Sequence, residues 1–236
     1  MGGFTIGQVI FNTVEMSRVE EALKAANETR ALRIGDGILG EVAELFKEQF
    51  PGKKAVVVAD ETTYRIAGKR VEEELKHAEI ETLPSFIFTD SDLYAEYSYI
   101  DQLVDSLKQH AAIPVAVGSG TINDLTKLSS HLTGRRYMCV ATAASMDGYT
   151  AFGASITADG AKQTFSCPAP QAVLADTSII SKAPGPMTAS GYADLFAKVT
   201  AGADWILADA LGVEAIDKKA WSIVQDGLHD ALSSPK

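Results

Sequence analysis

Ile113-Pro-Val-Ala-Val-Gly-Ser-Gly-Thr-Ile-Asn-Asp-Leu-Thr-Lys127 decides the fold class of this chain. An apolar, β-rich run passes through a glycine turn into a helical pattern, and that order aims the free amides of a helix start at whatever lies above the strand. An anion suits the place. Glycines let the backbone close on a phosphate, and Ser119 or Thr121 can add a hydroxyl hydrogen bond. The turn is neither GxGxxG, since Asn123 stands where the third glycine would be, nor a P-loop. A strand-to-helix turn with glycines also occurs as a plain tight connection, so its neighbours carry the decision.

Outward from this segment, short apolar runs recur at Ala55–Ala59 and Tyr137–Val140, and between them Tyr64–Ala78 and Asp92–His110 show helical spacing. The alternation predicts an α/β fold, a Rossmann-like, mostly parallel sheet with helices on both faces. The charge run Val71-Glu-Glu-Glu-Leu-Lys76 is a solvated helix face. Gly153–Phe165 predicts a hairpin turning at Asp159-Gly160, and Gln171–Asp176 predicts one more strand. Ala183-Pro-Gly-Pro186 then breaks the chain, and helical patterns follow at Met187–Leu211 and Asp217–Leu232. The expected division is a nucleotide-binding α/β domain over 1–183 and a partial helical metal and substrate domain over 184–236.

With 236 residues, 46% of them hydrophobic, the chain can bury a sizeable core. A formal net charge of -10 repels a phosphate backbone and argues against nucleic-acid binding. Two cysteines, Cys139 and Cys167, provide neither a disulfide framework nor a cysteine zinc site. Without an apolar run near ~20 residues or a secretory leader pattern, no membrane insertion is expected, and the expected compartment is the cytoplasm.

The loop Ala141-Thr-Ala-Ala-Ser-Met-Asp-Gly-Tyr-Thr150 follows another strand, so it and the Gly118 turn would share one crevice at the carboxyl edge of the sheet. The small residues Thr142, Ala143, Ala144 and Ser145 leave room for a ring against the backbone. Asp147 either meets a ligand or caps a turn. Asp60, at the end of its strand, is placed either to bind ribose hydroxyls or to cap a helix. Asp194 interrupts a stretch of small and apolar residues and is either a helix-surface acid or a carboxylate bound to metal.

Three segments together resemble the glycerol-1-phosphate dehydrogenases, within the superfamily of iron-type alcohol dehydrogenases, glycerol dehydrogenases and dehydroquinate synthases. They are GSGTINDLTK at 118–127, TAASMDGYT at 142–150, and ADTSIISKAP through SGYADLFAKVTAGADW at 175–205. The resemblance implies an NAD- or NADP-dependent oxidoreductase interconverting dihydroxyacetone phosphate and sn-glycerol 1-phosphate, with a divalent metal, zinc first and nickel or iron as alternatives, between an N-terminal and a helical C-terminal domain. It implies that Asp60 contacts the adenosine ribose, Gly118, Ser119, Gly120, Thr121 and Ile122 the pyrophosphate, and Thr142, Ala143, Ala144 and Ser145 the nicotinamide end. Asp147 would contact substrate, and Asp194 would ligate the metal and touch the substrate's hydroxyls.

There are two departures. Ala151 stands where the family usually has a cofactor-binding serine. The family also takes further metal ligands from two histidines on later helices, whereas His77, His110, His131 and His229 lack those surroundings. The resemblance therefore implies a C-terminally truncated member, expected to bind NAD(P) weakly, to turn over little, and to associate into homo-oligomers through apolar helix surface. A glycerol dehydrogenase or dehydroquinate synthase-like enzyme, and a non-catalytic nucleotide-binding module, are the alternatives.

Overall fold

In the computed structural model, which describes residues 13–233, the elements run in the alternating order that the strand and helix patterns predict. After α1 (Thr13–Ala25) come β1 (Ala31–Gly35), a 3-10 turn at Ile38–Glu41, α2 (Val42–Gln49) and β2 (Ala55–Asp60). The single turn α3 (Glu61–Thr63) passes through a wide turn, Tyr64–Gly68, into α4 (Lys69–His77), followed by β3 (Phe86–Phe88), α5 (Tyr97–Leu107), β4 (Ile113–Gly118) and α6 (Gly120–Leu132). Next are β5 (Met138–Ala141), β6 (Ala154–Ala158), β7 (Ala161–Phe165), β8 (Ala172–Asp176) and α7 (Thr177–Ile180). The helices α8 (Gly185–Ala210), α9 (Lys218–Gln225) and α10 (Leu228–Ser233) complete the described chain.

The contacts divide these residues into two compact units. The first holds the described residues up to Ala143 together with Gly148–Ala183, and the second holds Ala144–Asp147 with the residues from Pro184 onward.

In the first unit six strands form one sheet in the order β1-β8-β5-β4-β2-β3, every pair parallel. Side chains alternate across a strand with period two, and the core follows that parity. Val57, Val115 and Val140 pack with α2 and α4 on one face. Val58, Ala116 and Cys139 pack with α5 and α6 on the other. Burial on both faces is why these strands are near-continuous apolar runs. Both cysteines lie buried, and burial pushes the thiol of Cys139 up to about 12 and that of Cys167 up to about 11.

From β2 the chain moves through α4 to β3 on one side, and from β4 it moves through α6 to β5 on the other. The carboxyl ends of β2 and β4 therefore diverge, leaving the crevice that such a switch of direction opens. The hairpin β6–β7 packs beside α6 through Ala154 and Ile156. Its turn has positive φ at Asp159 (53°) and Gly160 (76°), the backbone a two-residue turn between twisted strands requires.

Two helices differ from their sequence expectation. The segment from Asp92 does not begin α5, because the amides of Asp92 and Leu93 fold back on Asp90, and Glu96 caps the helix by accepting from the Ser98 amide at 2.9 Å. The expected single helix over 217–232 is two, divided where Gly227 takes φ 87°.

In the second unit, Trp205 and Trp221 stack at a slant with centroids 6.0 Å apart, Gln225 donates to the Lys198 carbonyl at 3.0 Å, and Tyr192 donates to the Leu232 carbonyl at 2.6 Å. Phe196, Ile206, Leu207 and Leu211 on α8 and its end are each more than half exposed. Among the described residues no helix is long and apolar enough to cross a membrane.

Candidate functional site

Gly118 is the last residue of β4, and α6 starts two residues later at Gly120. Ser119 occupies the cap position with extended backbone, yet its side chain makes no capping hydrogen bond. The first amides of a helix have no acceptor within it, so this amide end remains available to a ligand. Glycine is required at 118. A Cβ there would lie 2.6 Å from both Cβ and Cγ1 of Ile122, which is 1% exposed and cannot retreat. Ile122 thus faces the core, and only its backbone lies at the turn. Asn123, in the place of the missing third glycine, is buried and accepts from the Tyr137 hydroxyl at 2.8 Å.

Above this turn lies a crevice of ≈ 370 Å³, lined by Ser119 and Thr121, by Asp60 and Glu61 at the end of β2, and by Phe88 and Asp90 at the end of β3. Asp60 is both a helix cap and part of the crevice wall. It caps α3, accepting from the Thr63 amide at 2.8 Å while its own amide donates to the Thr63 hydroxyl at 3.2 Å, and it lines the crevice.

The second polar loop starts beside the first. The Thr142 amide donates to the Gly118 carbonyl at 3.1 Å, Thr142 and Ala143 are buried, and the Tyr149 hydroxyl donates to the Ala143 carbonyl at 2.6 Å. Farther along, Lys127 of α6 is 1% exposed and donates to the carbonyls of Ala151, at 3.0 Å, and Gly153, at 2.9 Å. Ala151 is exposed, with its carbonyl held by Lys127. Asp124, 3.6 Å from the same ammonium, has its carboxyl raised by burial, which outweighs the opposing pull of Lys127.

Ala144, Ser145 and Asp147 belong to the second unit, where they meet α8. The Asp147 amide donates to Asp194 Oδ2 at 2.9 Å, and Lys198 Nζ lies 2.8 Å from Asp147 Oδ2. Asp194 and Lys198 share a helix face by their spacing of four. The hydrogen bond to Asp147 raises the Lys198 ammonium above its ordinary value, with Asp194 adding to it. Close packing is built in. A Cβ on Gly191 would lie 1.9 Å from the Ala144 carbonyl oxygen.

Lys127, Lys198 and Asp90 carry little in the sequence to single them out. A lysine on a helix reads as solvated, and the one signal for Lys198 is its place four residues after Asp194. For Lys127 the signal is its place three residues after Asp124.

A catalytic cation needs several protein ligands, about three for zinc. Among the described residues no group of three or more His, Cys, Asp or Glu could hold one. Asp194 Oδ2 already accepts an amide, His110 Nδ1 accepts the Ala112 amide at 3.3 Å, and His229 is almost wholly exposed beside Asp230. Among the described residues no complete metal centre forms around Asp194.

The sequence matches the model of the iron-containing alcohol dehydrogenase family over residues 33–184. It is 32% identical over 203 residues to the glycerol-1-phosphate dehydrogenase (NAD(P)+) of Bacillus licheniformis, covering 85% of this chain and 50% of that protein. The chain spans about half the length of the curated relatives it matches. Maleylacetate reductase from Agrobacterium tumefaciens shares its fold at a TM-score of 0.67 and 17% identity, over 88% of this chain and 56% of that one. A 2-deoxy-scyllo-inosose synthase solved with carbaglucose-6-phosphate, NAD+ and Co2+ does so at 0.60 and 18% identity, over 70% of this chain and 47% of that one.

Proposed function

This chain belongs to the iron-containing alcohol dehydrogenase family, and from that membership we propose that it is an NAD(P)-dependent oxidoreductase component acting on a small polyol phosphate, interconverting dihydroxyacetone phosphate and sn-glycerol 1-phosphate. One observation carries the reading. The amide end of α6, without a side-chain cap, opens beside a crevice at the switch point of a parallel sheet, where a pyrophosphate is held by backbone donors.

In this reading Gly118 to Ile122 hold the pyrophosphate, Asp60 meets ribose hydroxyls, and Thr142, whose amide bonds the Gly118 carbonyl, meets the nicotinamide end together with Ala143, the roles of Ala144 and Ser145 resting on the resemblance alone. The bound nicotinamide supplies or accepts the hydride. Asp147 orients a substrate hydroxyl, its carboxylate steadied by Lys198, while Asp194 fixes the Asp147 backbone. The proposed metal is a divalent cation, zinc before nickel or iron, with Asp194 as one ligand. The described residues do not complete its coordination.

A second reading, a nucleotide-binding module without turnover, is favoured by Asp194, whose Oδ2 is engaged by the Asp147 amide. Calorimetric titration with NADH tests the shared part, and absence of binding overturns both. A coupled assay with dihydroxyacetone phosphate and added zinc, joined to metal analysis, separates them: turnover with stoichiometric metal supports the enzyme, and binding without either supports the module. The proposal extends to self-association, because exposed Phe196, Ile206, Leu207 and Leu211 leave apolar surface on α8. A monomer in light scattering would count against it.

A further inference from the structure

Among the described residues that line the switch-point crevice, three of ten are carboxylates, and none is lysine, arginine or histidine. Asp60 and Glu61 stand at the junction of β2 and α3, and Asp90 follows β3, which pairs with β2 so that Asp60 and Phe88 are in register. Asp90 is held firmly. Its Oδ1 accepts the Asp92 amide at 2.9 Å, and its Oδ2 accepts the Tyr99 hydroxyl. Tyr99 in turn meets Phe88 edge-on, with centroids 5.9 Å apart, and Tyr94 in the same manner at 6.3 Å. The donor to Asp90 is therefore seated in an aromatic cluster that includes a wall of the crevice. The same hydrogen bonds keep Asp90 ionised, since they lower its carboxyl, and the Tyr99 hydroxyl is pushed up to about 12 and stays protonated.

A nucleotide bound along the α6 amide end with its ribose toward Asp60 places the ribose 2′ position among these acids. A 2′-hydroxyl can donate to a carboxylate. A 2′-phosphate, with roughly two negative charges and acceptors only, meets like charge and finds no cation to offset it. We propose that Asp90, held by Tyr99 and acting with Asp60 and Glu61, is a specificity-determining residue that makes this crevice select NAD(H) against NADP(H). The inference rests on the crevice being the nucleotide site.

Titration of the purified chain with NADH and with NADPH, each followed by nicotinamide fluorescence at fixed ionic strength, tests it. NADH should bind on the order of ten-fold tighter or more, and the ratio should shrink as salt screens the charges. Asp90→Asn and, separately, Glu61→Gln should narrow the ratio of the two affinities several-fold, with NADPH gaining relative to NADH. Both sites are exposed, and thermal melts of each variant verify folding. Equal affinities of the unaltered chain for the two nucleotides overturn the inference and leave the nucleotide site standing. An unchanged ratio in Asp90→Asn overturns the assignment to Asp90. Failure to bind either nucleotide overturns the site itself, and the inference with it.

Discussion

Lys127, buried within α6, donates to the carbonyl of Gly153 at 2.9 Å and so ties the helix that starts at the glycine turn to the end of the second polar loop. A buried ammonium is costly unless its donors are met, and here Ala151, Gly153 and Asp124 meet them. Lys127→Met keeps the bulk and removes the charge, leaving Asp124 and two carbonyls without their partner. The expected loss is about 3 kcal/mol in urea unfolding, the scale for breaking a buried pair. A loss below about 1 kcal/mol would mean that water replaces the ammonium.

Asp176 closes β8 and gathers four donors: the amides of Gly37 at 2.9 Å, Leu39 at 2.8 Å and Ser178 at 2.9 Å, and the Ser178 hydroxyl at 2.6 Å. Burial alone pushes its carboxyl up, but these hydrogen bonds outweigh burial and hold it below the ordinary value. A lowered folded value stabilises the fold above the unfolded carboxyl pKa, near ~4, and that contribution is lost as pH falls through the folded value. Asp176→Asn should therefore cost about 2 kcal/mol at neutral pH, with the gap to the unaltered chain closing as urea midpoints are followed down toward pH 3. A gap that stays constant with pH would contradict this account.

Much of the fold is legible in residue pattern because the central strands are buried on both faces, and Ala55–Ala59, Ile113–Val117 and Met138–Val140 can hardly be anything but apolar runs. The edges are not. β3 has three residues, and β1 carries Arg33, whose charge breaks the apolar pattern and is met by Glu41, Glu44 and Glu48 from the turn and helix that follow. Gly118 to Thr121 can be picked out from sequence because backbone geometry leaves its mark in glycine. Lys127, Lys198 and Asp90 cannot, because their partners are carbonyls and side chains brought together by the fold, and a lysine or aspartate codes alike for solvent and for such a contact.

Gly118→Ala puts a methyl 2.6 Å from Ile122, so the first turn of α6 must shift away from β4. Overpacking of this kind costs roughly 1–3 kcal/mol, and here the strain falls on the amides proposed to hold the pyrophosphate. NADH affinity should drop on the order of ten-fold or more while circular dichroism remains that of the unaltered chain. Gly185→Ala, where a Cβ meets nothing within 4 Å, serves as the control and should leave both unchanged.

Gly191→Ala tests the second unit. Its Cβ would stand 1.9 Å from the Ala144 oxygen and 2.9 Å from the Ala144 carbonyl carbon, and because that neighbour is backbone, no rotamer change relieves the contact. Residues 144–147 must then lift from α8, and with them go the Asp147 amide bond to Asp194 and the ion pair of Asp147 with Lys198. Hydrogen exchange should reveal this at the Asp147 amide, protected now by Asp194 and expected to exchange on the order of ten-fold faster in the variant. Exchange along β4 and β5, whose hydrogen bonds lie within the sheet of the first unit, should not change. If the Asp147 amide keeps its protection, α8 has moved as a body to accept the methyl, and the close fit of Gly191 to Ala144 is not what orders the loop.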